Sequence, residues 1–139
     1  MPEKIFKGAW CQVDKYLYLI GGTNGSRLNT IYRFDMEHKD IIKMNATLPD
    51  YISQSRAIYD GKGKIYIFGG TNNKNQLLKY IMKYDIEKDE CSLLDTSLPY
   101  GLANVCATKV KDSIFILGGE NAISNVILEY KNGIITSKK

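Results

Sequence analysis

Three short apolar runs, each closed by a pair of glycines, recur along the chain. They are residues 16–22, 64–70 and 113–119, which read YLYLIGG, KIYIFGG and SIFILGG. The runs are apolar at nearly every position instead of alternating with polar residues, which is typical of β-strands that are covered on both faces. The pattern therefore predicts one doubly buried strand in each of three repeated units.

The spacing of the glycine pairs gives the length of the repeat. The first glycines stand at positions 21, 69 and 118, so the period is 48 and then 49 residues. A repeat of this length exceeds that of helical hairpins and is typical of the blades of β-propellers. Other segments follow the same period: IYRFD at 31–35, IMKYD at 81–85 and ILEY at 127–130, with Leu-Pro at 48–49 and 98–99.

Each unit is predicted to form four antiparallel strands. The segments between them are rich in Gly, Asn and Asp, which tolerate the positive φ angles of tight hairpins. Proline donates no hydrogen bond, and Pro2, Pro49 and Pro99 are expected to lie outside every strand. The predicted strands of the middle unit are 56–59, 64–68, 78–84 and 90–94, the first and third units open with 10–13 and 105–108, and 134–136 closes the chain.

Composition indicates one ordinary globular domain. The chain has 139 residues, of which 44% are apolar and 24% charged,. The lysines are scattered and only three arginines occur, so no basic stripe favours a nucleic-acid partner, and no apolar segment favours a membrane,. Cys11, Cys91 and Cys106 are too widely spaced for a disulfide scaffold, and we expect buried thiols in a cytoplasmic protein,.

The glycine pairs and the aromatic-Asp steps resemble the kelch-repeat family. Three features depart from its pattern: Ile41 and Cys91 stand where a Trp is expected, and Lys131 stands where an Asp is expected. Lighter packing between the blades is expected at these positions. The residues that match the structural motif of the family are Gly21, Gly22, Gly69, Gly70, Gly118 and Gly119, with Asp35 and Asp85.

The resemblance implies an all-β fold with three four-stranded antiparallel kelch blades, approximately residues 5–49, 50–99 and 100–139 of a single domain. Closed propellers usually have four to eight blades, so three blades form half of a six-bladed ring. The two outer blade faces are then expected to expose apolar surface. We expect a homodimer that completes the ring, and the alternative is the remainder of a longer chain.

The residues favour a binding module over an enzyme. The single histidine, His38, lies in a polar turn segment, and no His, Cys or carboxylate spacing suits a metal, so no cofactor is expected,. A fragment of a propeller enzyme, whose catalytic residues lie elsewhere, stays as an alternative.

Antiparallel topology places the loop after each glycine pair and the linker between blades at the same end of the sheets. These segments mix Tyr and Arg with Asn and Ser, as contact surfaces do. The resemblance implies a protein or peptide partner at this end, commonly acidic or polar, and a role as a substrate receptor in ubiquitin ligation, with a cytoskeletal scaffold as the alternative. The candidate partner-binding residues are Asn24, Arg27, Tyr51, Ser53, Gln54, Arg56, Asn72, Asn73, Tyr100, Asn104, Glu120 and Asn121.

Overall fold

The protein is all-β in the computed structural model, which describes residues 4–119 and 127–138. No helix in these two ranges is long and apolar enough to cross a membrane. The strands are β1 Ala9–Val13, β2 Tyr16–Ile20, β3 Leu28–Asp35, β4 Asp40–Ile52, β5 Arg56–Tyr59, β6 Lys64–Phe68, β7 Tyr80–Asp85, β8 Glu90–Ser97, β9 Cys106–Val110, β10 Ser113–Leu117, β11 Ile127–Lys131 and β12 Ile134–Lys138.

The strands form three separate four-stranded antiparallel sheets, each built from four strands that follow one another along the chain. The first sheet contains β1–β4, the second β5–β8 and the third β9–β12. β5 and β6 have the predicted bounds, and the three-blade prediction is confirmed. The sheets stand side by side with equivalent strands adjacent, since β5 contacts β1 and β9, and β8 contacts β4 and β12.

The cores lie between neighbouring sheets and not within one sheet. Ile65 and Ile67 of β6 belong to the core shared with the first sheet, whereas Phe68 belongs to the core shared with the third. Because a β-strand points successive side chains to opposite faces, the apolar run of β6 fills both cores at once. Burial on both faces is therefore confirmed for the middle sheet.

The outer sheets have one buried face each. In β2, Tyr18 and Ile20 are buried while Leu17 and Leu19 are only half-buried. In β10, Ile114 and Ile116 are buried, and Leu117 is exposed on the other face. The physical reason is that, within the described residues, no further sheet packs against these outward faces.

The Tyr-Asp and Phe-Asp steps are turn caps. The Oδ1 atom of Asp35 accepts the N–H groups of Glu37 and His38, each at 3.0 Å. Asp85 accepts the N–H of Lys88 in the same way at 3.2 Å. The last unit joins its third and fourth strands by the pair Asn132–Gly133, both at positive φ. A two-residue Asn-Gly turn needs no such cap, which explains why Lys131 can replace the aspartate.

Two sequence predictions are wrong. Pro49 lies inside β4, which continues past the predicted unit boundary to Ile52. The strand tolerates proline there because β4 is an edge strand whose pairing with β3 is irregular near this point,. Cys106 is exposed instead of buried, because it lies on the outward face of the third sheet beside Leu117.

Candidate functional site

The linkers and the loops after the glycine pairs meet at one end of the sheets. Ser53, in the linker between the first and second sheets, and Thr71, after the second glycine pair, exchange two backbone hydrogen bonds, at 3.0 and 2.8 Å. Phe6 and Thr23 do the same in the first unit, both at 2.8 Å. We call this end the loop face; it comprises residues 4–8, 21–27, 50–56, 69–77 and 98–105.

A series of backbone hydrogen bonds joins the linkers across the loop face. The N–H of Gln54 donates to the carbonyl of Lys7, and the N–H of Asn104 donates to the carbonyl of Gln54, each at 2.9 Å. All three residues have positive φ, between 55° and 63°. The same conformation and the same bond therefore recur from one sheet to the next, which fixes the relative positions of the linkers.

Arg27 connects the first two units. Its Nε donates to Ser53 Oγ at 3.0 Å, and its Nη1 donates to Asn75 Oδ1 at 3.0 Å. Its backbone N–H donates to Asn73 Oδ1 at 3.3 Å. The guanidinium is therefore held at a fixed position between two loops, which reduces the entropy that a bound partner would have to remove.

The loop after the second glycine pair is ordered by its own polar side chains. Asn72 Oδ1 accepts the N–H groups of Lys74 and Gln76 at 3.0 and 3.1 Å, and its Nδ2 donates to the side chain of Gln76. Thr71 Oγ1 donates to Gln54 Oε1 at 3.0 Å and so joins this loop to the linker. Asx-type bonds of this kind stabilise turns.

The predicted partner-binding residues have different positions on the loop face. Ser53 and Asn72 are 2% and 8% exposed, so in this conformation they position their neighbours and present little surface to a partner. Asn75, which the sequence analysis missed, is the second partner of Arg27. Asn24, Tyr51, Arg56, Asn73 and Asn104 are exposed, Arg27, Gln54 and Tyr100 are half-buried, and Glu120 and Asn121 lie outside the described residues.

The two ends of the sheets differ in charge. On the described part of the loop face, Lys4, Lys7, Arg27, Arg56 and Lys74 stand against Asp50. The turns at the opposite end mix acidic and basic residues, namely Asp14, Lys15, Glu37, Lys39, Asp60, Lys62, Glu87, Lys88, Asp89, Lys111 and Asp112. Because a cluster of like charges attracts the opposite charge, the loop face is the better surface for an anionic partner.

His38 is exposed in a turn at the opposite end, with its Nδ1 atom 3.0 Å from Asp35 Oδ2. Within residues 4–119 and 127–138, no group of three or more His, Cys, Asp or Glu side chains could hold a metal ion. The arrangement at the loop face is one of hydrogen-bond donors, amides and aromatic rings, which suits the binding of a polar segment.

Comparison with known proteins identifies relatives of this chain. A family model described as N-acetylneuraminate epimerase matches residues 1–134. Kelch domain-containing protein 10 of Xenopus tropicalis is 28% identical over 136 aligned residues, which cover 88% of this chain and 33% of that protein. The Xenopus laevis protein is 27% identical over 135 residues, with the same coverage. The chain thus spans about a third of the length of these curated relatives.

A solved structure has the same fold. The structure of YjhT superposes with a TM-score of 0.82 at 14% sequence identity, and the match covers 97% of this chain and 52% of that one. The three sheets therefore correspond to about half of a kelch propeller.

Proposed function

This chain belongs to the N-acetylneuraminate epimerase family of kelch-repeat proteins, and we propose that it is a non-catalytic module that binds an acidic segment of a protein partner at the loop face. The single observation that carries this proposal is the excess of cationic side chains on the described part of the loop face, where Lys4, Lys7, Arg27, Arg56 and Lys74 stand against Asp50. Cations on loops that rigid strands hold in place are suited to carboxylate recognition.

The exposed aromatic and amide groups support the same proposal. Tyr51 is 47% exposed and follows Asp50 in β4, while Asn73 and Asn104 are exposed on the adjoining loops. Tyrosine provides large contact area at a low cost in conformational entropy, and asparagine provides adaptable hydrogen bonds. A partner segment lying across the loops would meet both kinds of group beside the cations.

A peptide titration tests the proposal. The probe is a fluorescein-labelled decapeptide that alternates Glu and Ser, and the control peptide has Gln in place of Glu. We expect the acidic peptide to bind and the Gln peptide to bind at least about tenfold more weakly, since each charge-assisted hydrogen bond contributes substantially. Arg56→Ala and Lys74→Ala should each weaken binding about threefold or more.

The controls lie at the opposite end of the sheets. Lys39→Ala and Lys88→Ala remove the same charge from exposed turns and should leave the affinity unchanged. Equal binding of the two peptides, or equal losses from the variants at both ends, would rule out the loop face as the binding surface.

The ubiquitin-ligation and cytoskeletal roles would use the same face. In the first role the loop face would hold the protein to be modified, and in the second it would hold a filament protein. The variants Arg56→Ala and Lys74→Ala therefore test the contact that either role needs.

We also propose that a second copy of the chain covers the outward faces and completes a six-bladed ring. The outward face of the first sheet has an apolar cavity of about 420 Å³ lined by Trp10, Leu17, Leu19, Tyr32, Phe34 and Ile41. The outward face of the third sheet exposes Val110, Leu117 and Ile134. In a twofold arrangement each copy's first sheet would pack against the other's third sheet, continuing the stacking seen within the chain.

The glycine pairs support this arrangement. A Cβ atom on Gly21 would collide with the carbonyl of Ile52, in the strand that leads to the next sheet. A Cβ atom on Gly118 would meet no described atom within 4 Å, although its φ is also positive. The third sheet thus has the backbone shape of a covered blade, and the second copy supplies what covers it.

Light scattering tests the ring. At micromolar concentration we expect twice the chain mass of 15.7 kDa. Leu19→Asp, which places a charge on the outward face, should give the single-chain mass, whereas Ile42→Asp, at an exposed position on the other face of the same sheet, should not. A folded wild-type protein with the mass of one chain would exclude a second copy. The outward faces would then be covered by the remainder of a longer chain.

A second candidate function is catalytic, and the observation that favours it is the description of the matching family model as N-acetylneuraminate epimerase. Proton NMR of N-acetylneuraminate incubated with the protein separates the two functions. Faster interconversion of its epimers than in buffer would establish the catalytic function, and an unchanged rate would support the binding module.

A further inference from the structure

A pair of tyrosines recurs at both interfaces between sheets, near the end opposite the loop face. Tyr18 and Tyr84 face each other between the first and second sheets, with ring centroids 5.9 Å apart. Tyr66 and Tyr130 occupy the equivalent positions between the second and third sheets, at 5.4 Å. The two pairs come from the same strands of the repeat, so their surroundings can be compared directly.

The Tyr18–Tyr84 pair is covered by the carboxylate of Asp89, which belongs to the same sheet as Tyr84. Tyr84 Oη donates to Asp89 Oδ1 at 2.7 Å. Asp89 also accepts the N–H groups of Asn45 and Ala46 at 3.0 and 3.3 Å, across the interface. Tyr18 and Tyr84 are accordingly 1% and 0% exposed. The hydroxyl of Tyr84 is thus satisfied by an internal anion.

The second pair has no equivalent of Asp89. Four residues, 86–89, connect β7 to β8, but only Asn132 and Gly133 connect β11 to β12. Neither the Tyr66 nor the Tyr130 hydroxyl has a hydrogen-bond partner within residues 4–119 and 127–138. The shorter turn leaves a cavity of about 410 Å³ at this place, lined by Asp60, Lys62, Tyr66, Lys109, Asp112, Ile114, Tyr130, Asn132 and Gly133.

Two lysines and two phenol hydroxyls supply donors around this cavity, beside the carboxylates of Asp60 and Asp112. Lys62 and Lys109 take part in no ion pair with the described carboxylates. Asp60 already accepts the N–H groups of Lys62 and Lys64 through Oδ1, at 2.6 and 3.0 Å. Burial raises the pKa of both Tyr66 and Tyr130, so at neutral pH their hydroxyls keep the proton that they can donate,.

We propose that the Tyr66–Tyr130 cavity binds a small organic carboxylate with a flat apolar body, whose oxygens take the place that the Asp89 carboxylate has at the other interface. The two phenol hydroxyls and the two lysines supply donors for the carboxylate. Ile114 and the tyrosine rings supply apolar surface for the body of the ligand. This site lies away from the loop face and does not depend on the proposed function.

The size and charge of the cavity narrow the ligand class. A volume of about 410 Å³ lies within the range of small-molecule sites, roughly 300 to 1,000 Å³,. Asp60 and Asp112 balance the two lysines, so the site has no excess positive charge that would favour a polyanion. A monocarboxylate with one aromatic ring is therefore the simplest probe.

Three probes of one shape test the proposal: benzoate, benzamide and benzylamine. Binding is followed by the methyl resonances of Ile114 in ¹³C–¹H NMR, because Ile114 lines the cavity. We expect benzoate to shift these resonances with a millimolar Kd, and benzamide to bind about tenfold more weakly, since hydrogen bonds to a charged group are the stronger. Benzylamine should bind more weakly still.

Variants assign the binding to the tyrosine hydroxyls. Tyr66→Phe and Tyr130→Phe each remove one oxygen, leave the packing of the ring, and should weaken benzoate binding about five- to tenfold. Tyr84→Phe is the matched control: it removes the equivalent hydroxyl from the covered pair and should not change the affinity. Replacing Asn132 and Gly133 by the four residues 86–89 should supply an internal carboxylate and abolish binding.

Three results would overturn the proposal. They are binding of benzamide or benzylamine as tight as that of benzoate, unchanged benzoate binding by the Tyr66→Phe and Tyr130→Phe double variant, and no shift of Ile114 at about 50 mM benzoate, far above the expected Kd. A far-ultraviolet circular dichroism spectrum and a cooperative thermal transition like those of the wild type establish that each variant is folded, so a loss of binding is attributable to the missing hydroxyl.

Discussion

Gly69 lies so close to the carbonyl oxygen of Leu102, in the linker to the third sheet, that a Cβ atom on Gly69 would overlap this oxygen. The neighbouring Gly70 donates its N–H to the same oxygen at 2.8 Å. Gly21 and Ile52 have the equivalent relationship in the first sheet, where Gly22 donates to Ile52 at 2.8 Å. The glycine pair therefore functions between sheets as well as in the turn of its own strand.

Gly69→Ala should destabilise the protein strongly. Its added Cβ would overlap the Leu102 oxygen at a positive φ of 63°, so both sterics and backbone strain oppose it. We expect a loss of at least about 3 kcal/mol in the free energy of unfolding, measured by urea denaturation. Gly61→Ala is the control, because Gly61 also has positive φ but has no atom within 4 Å of an added Cβ.

Gly61→Ala should lower the free energy of unfolding by only about 1 kcal/mol, because alanine at positive φ has backbone strain but no steric overlap there,. Similar losses for Gly69→Ala and Gly61→Ala would show that contact with the linker is unimportant.

Asp89→Asn should weaken the interface between the first two sheets. The carboxylate accepts three hydrogen bonds, and an amide would place a donor against one of those N–H or O–H groups. Asparagine tolerates the positive φ of 51° at this position, so backbone strain does not confuse the result,. We expect a loss of about 2 kcal/mol in the free energy of unfolding.

Glu87→Gln, an exposed position in the same turn, should change stability by less than about 0.5 kcal/mol,. If Asp89→Asn proves no more harmful than Glu87→Gln, the carboxylate does not stabilise the interface.

Asp35 should make stability depend on pH at the acid end. The backbone N–H of His38 is the main cause that lowers its pKa from 3.8 to about 2. A carboxyl group whose pKa is lower in the folded than in the unfolded protein stabilises the fold at pH values above its unfolded-state pKa. This stabilisation is lost as the pH falls through the folded-state pKa. We therefore expect the melting temperature to fall between about pH 4 and pH 2, and to fall less in Asp35→Asn.

Asp14→Asn is the matched control for this series, since the Asp14 side chain accepts no hydrogen bond from a described residue. Parallel melting curves against pH for Asp35→Asn and the wild type would contradict the assignment. The backbone N–H of Lys88 lowers the pKa of Asp85 in the same manner. A variant with both Asp35→Asn and Asp85→Asn should therefore be less sensitive to acid than the Asp35→Asn variant.

The three cysteines should differ in reactivity. Burial raises the pKa of the Cys11 thiol and raises that of Cys91 to about 12, whereas Cys106 is exposed. Because the thiolate is the reactive form, a maleimide at pH 8 should label one site quickly and the other two only after denaturation. Mass spectrometry identifies the labelled residue, and Cys106→Ser should remove the fast phase.

The labelling is done at nanomolar protein concentration, at which the two chains of the proposed six-bladed ring are dissociated. Since Cys106 lies on the outward face of the third sheet, the proposed ring also predicts slower labelling at micromolar concentration. Rapid modification of Cys91 in the folded protein would contradict the burial of that thiol.

Much of the fold could be predicted because its signals are local. The apolar runs ending in glycine pairs give β2, β6 and β10 directly, since alternation along a strand and the φ freedom of glycine depend on adjacent residues,. The strands around Pro49 could not be placed in this way. β4 continues through the proline because the irregular pairing with β3 and the edge position accommodate it, and both are properties of the sheet.

The sequence by itself determined the repeat, the number of strands in each unit and the end at which the loops meet, because periodicity and antiparallel topology follow from chain order. Only the tertiary structure decided that Arg27 reaches Asn75 and that Ser53 is buried. It also decided that the Tyr66–Tyr130 pair opens on a cavity while Tyr18 and Tyr84 are covered. The reason is physical: these contacts join residues far apart in the chain, and their geometry depends on how neighbouring sheets stack and on the length of one turn.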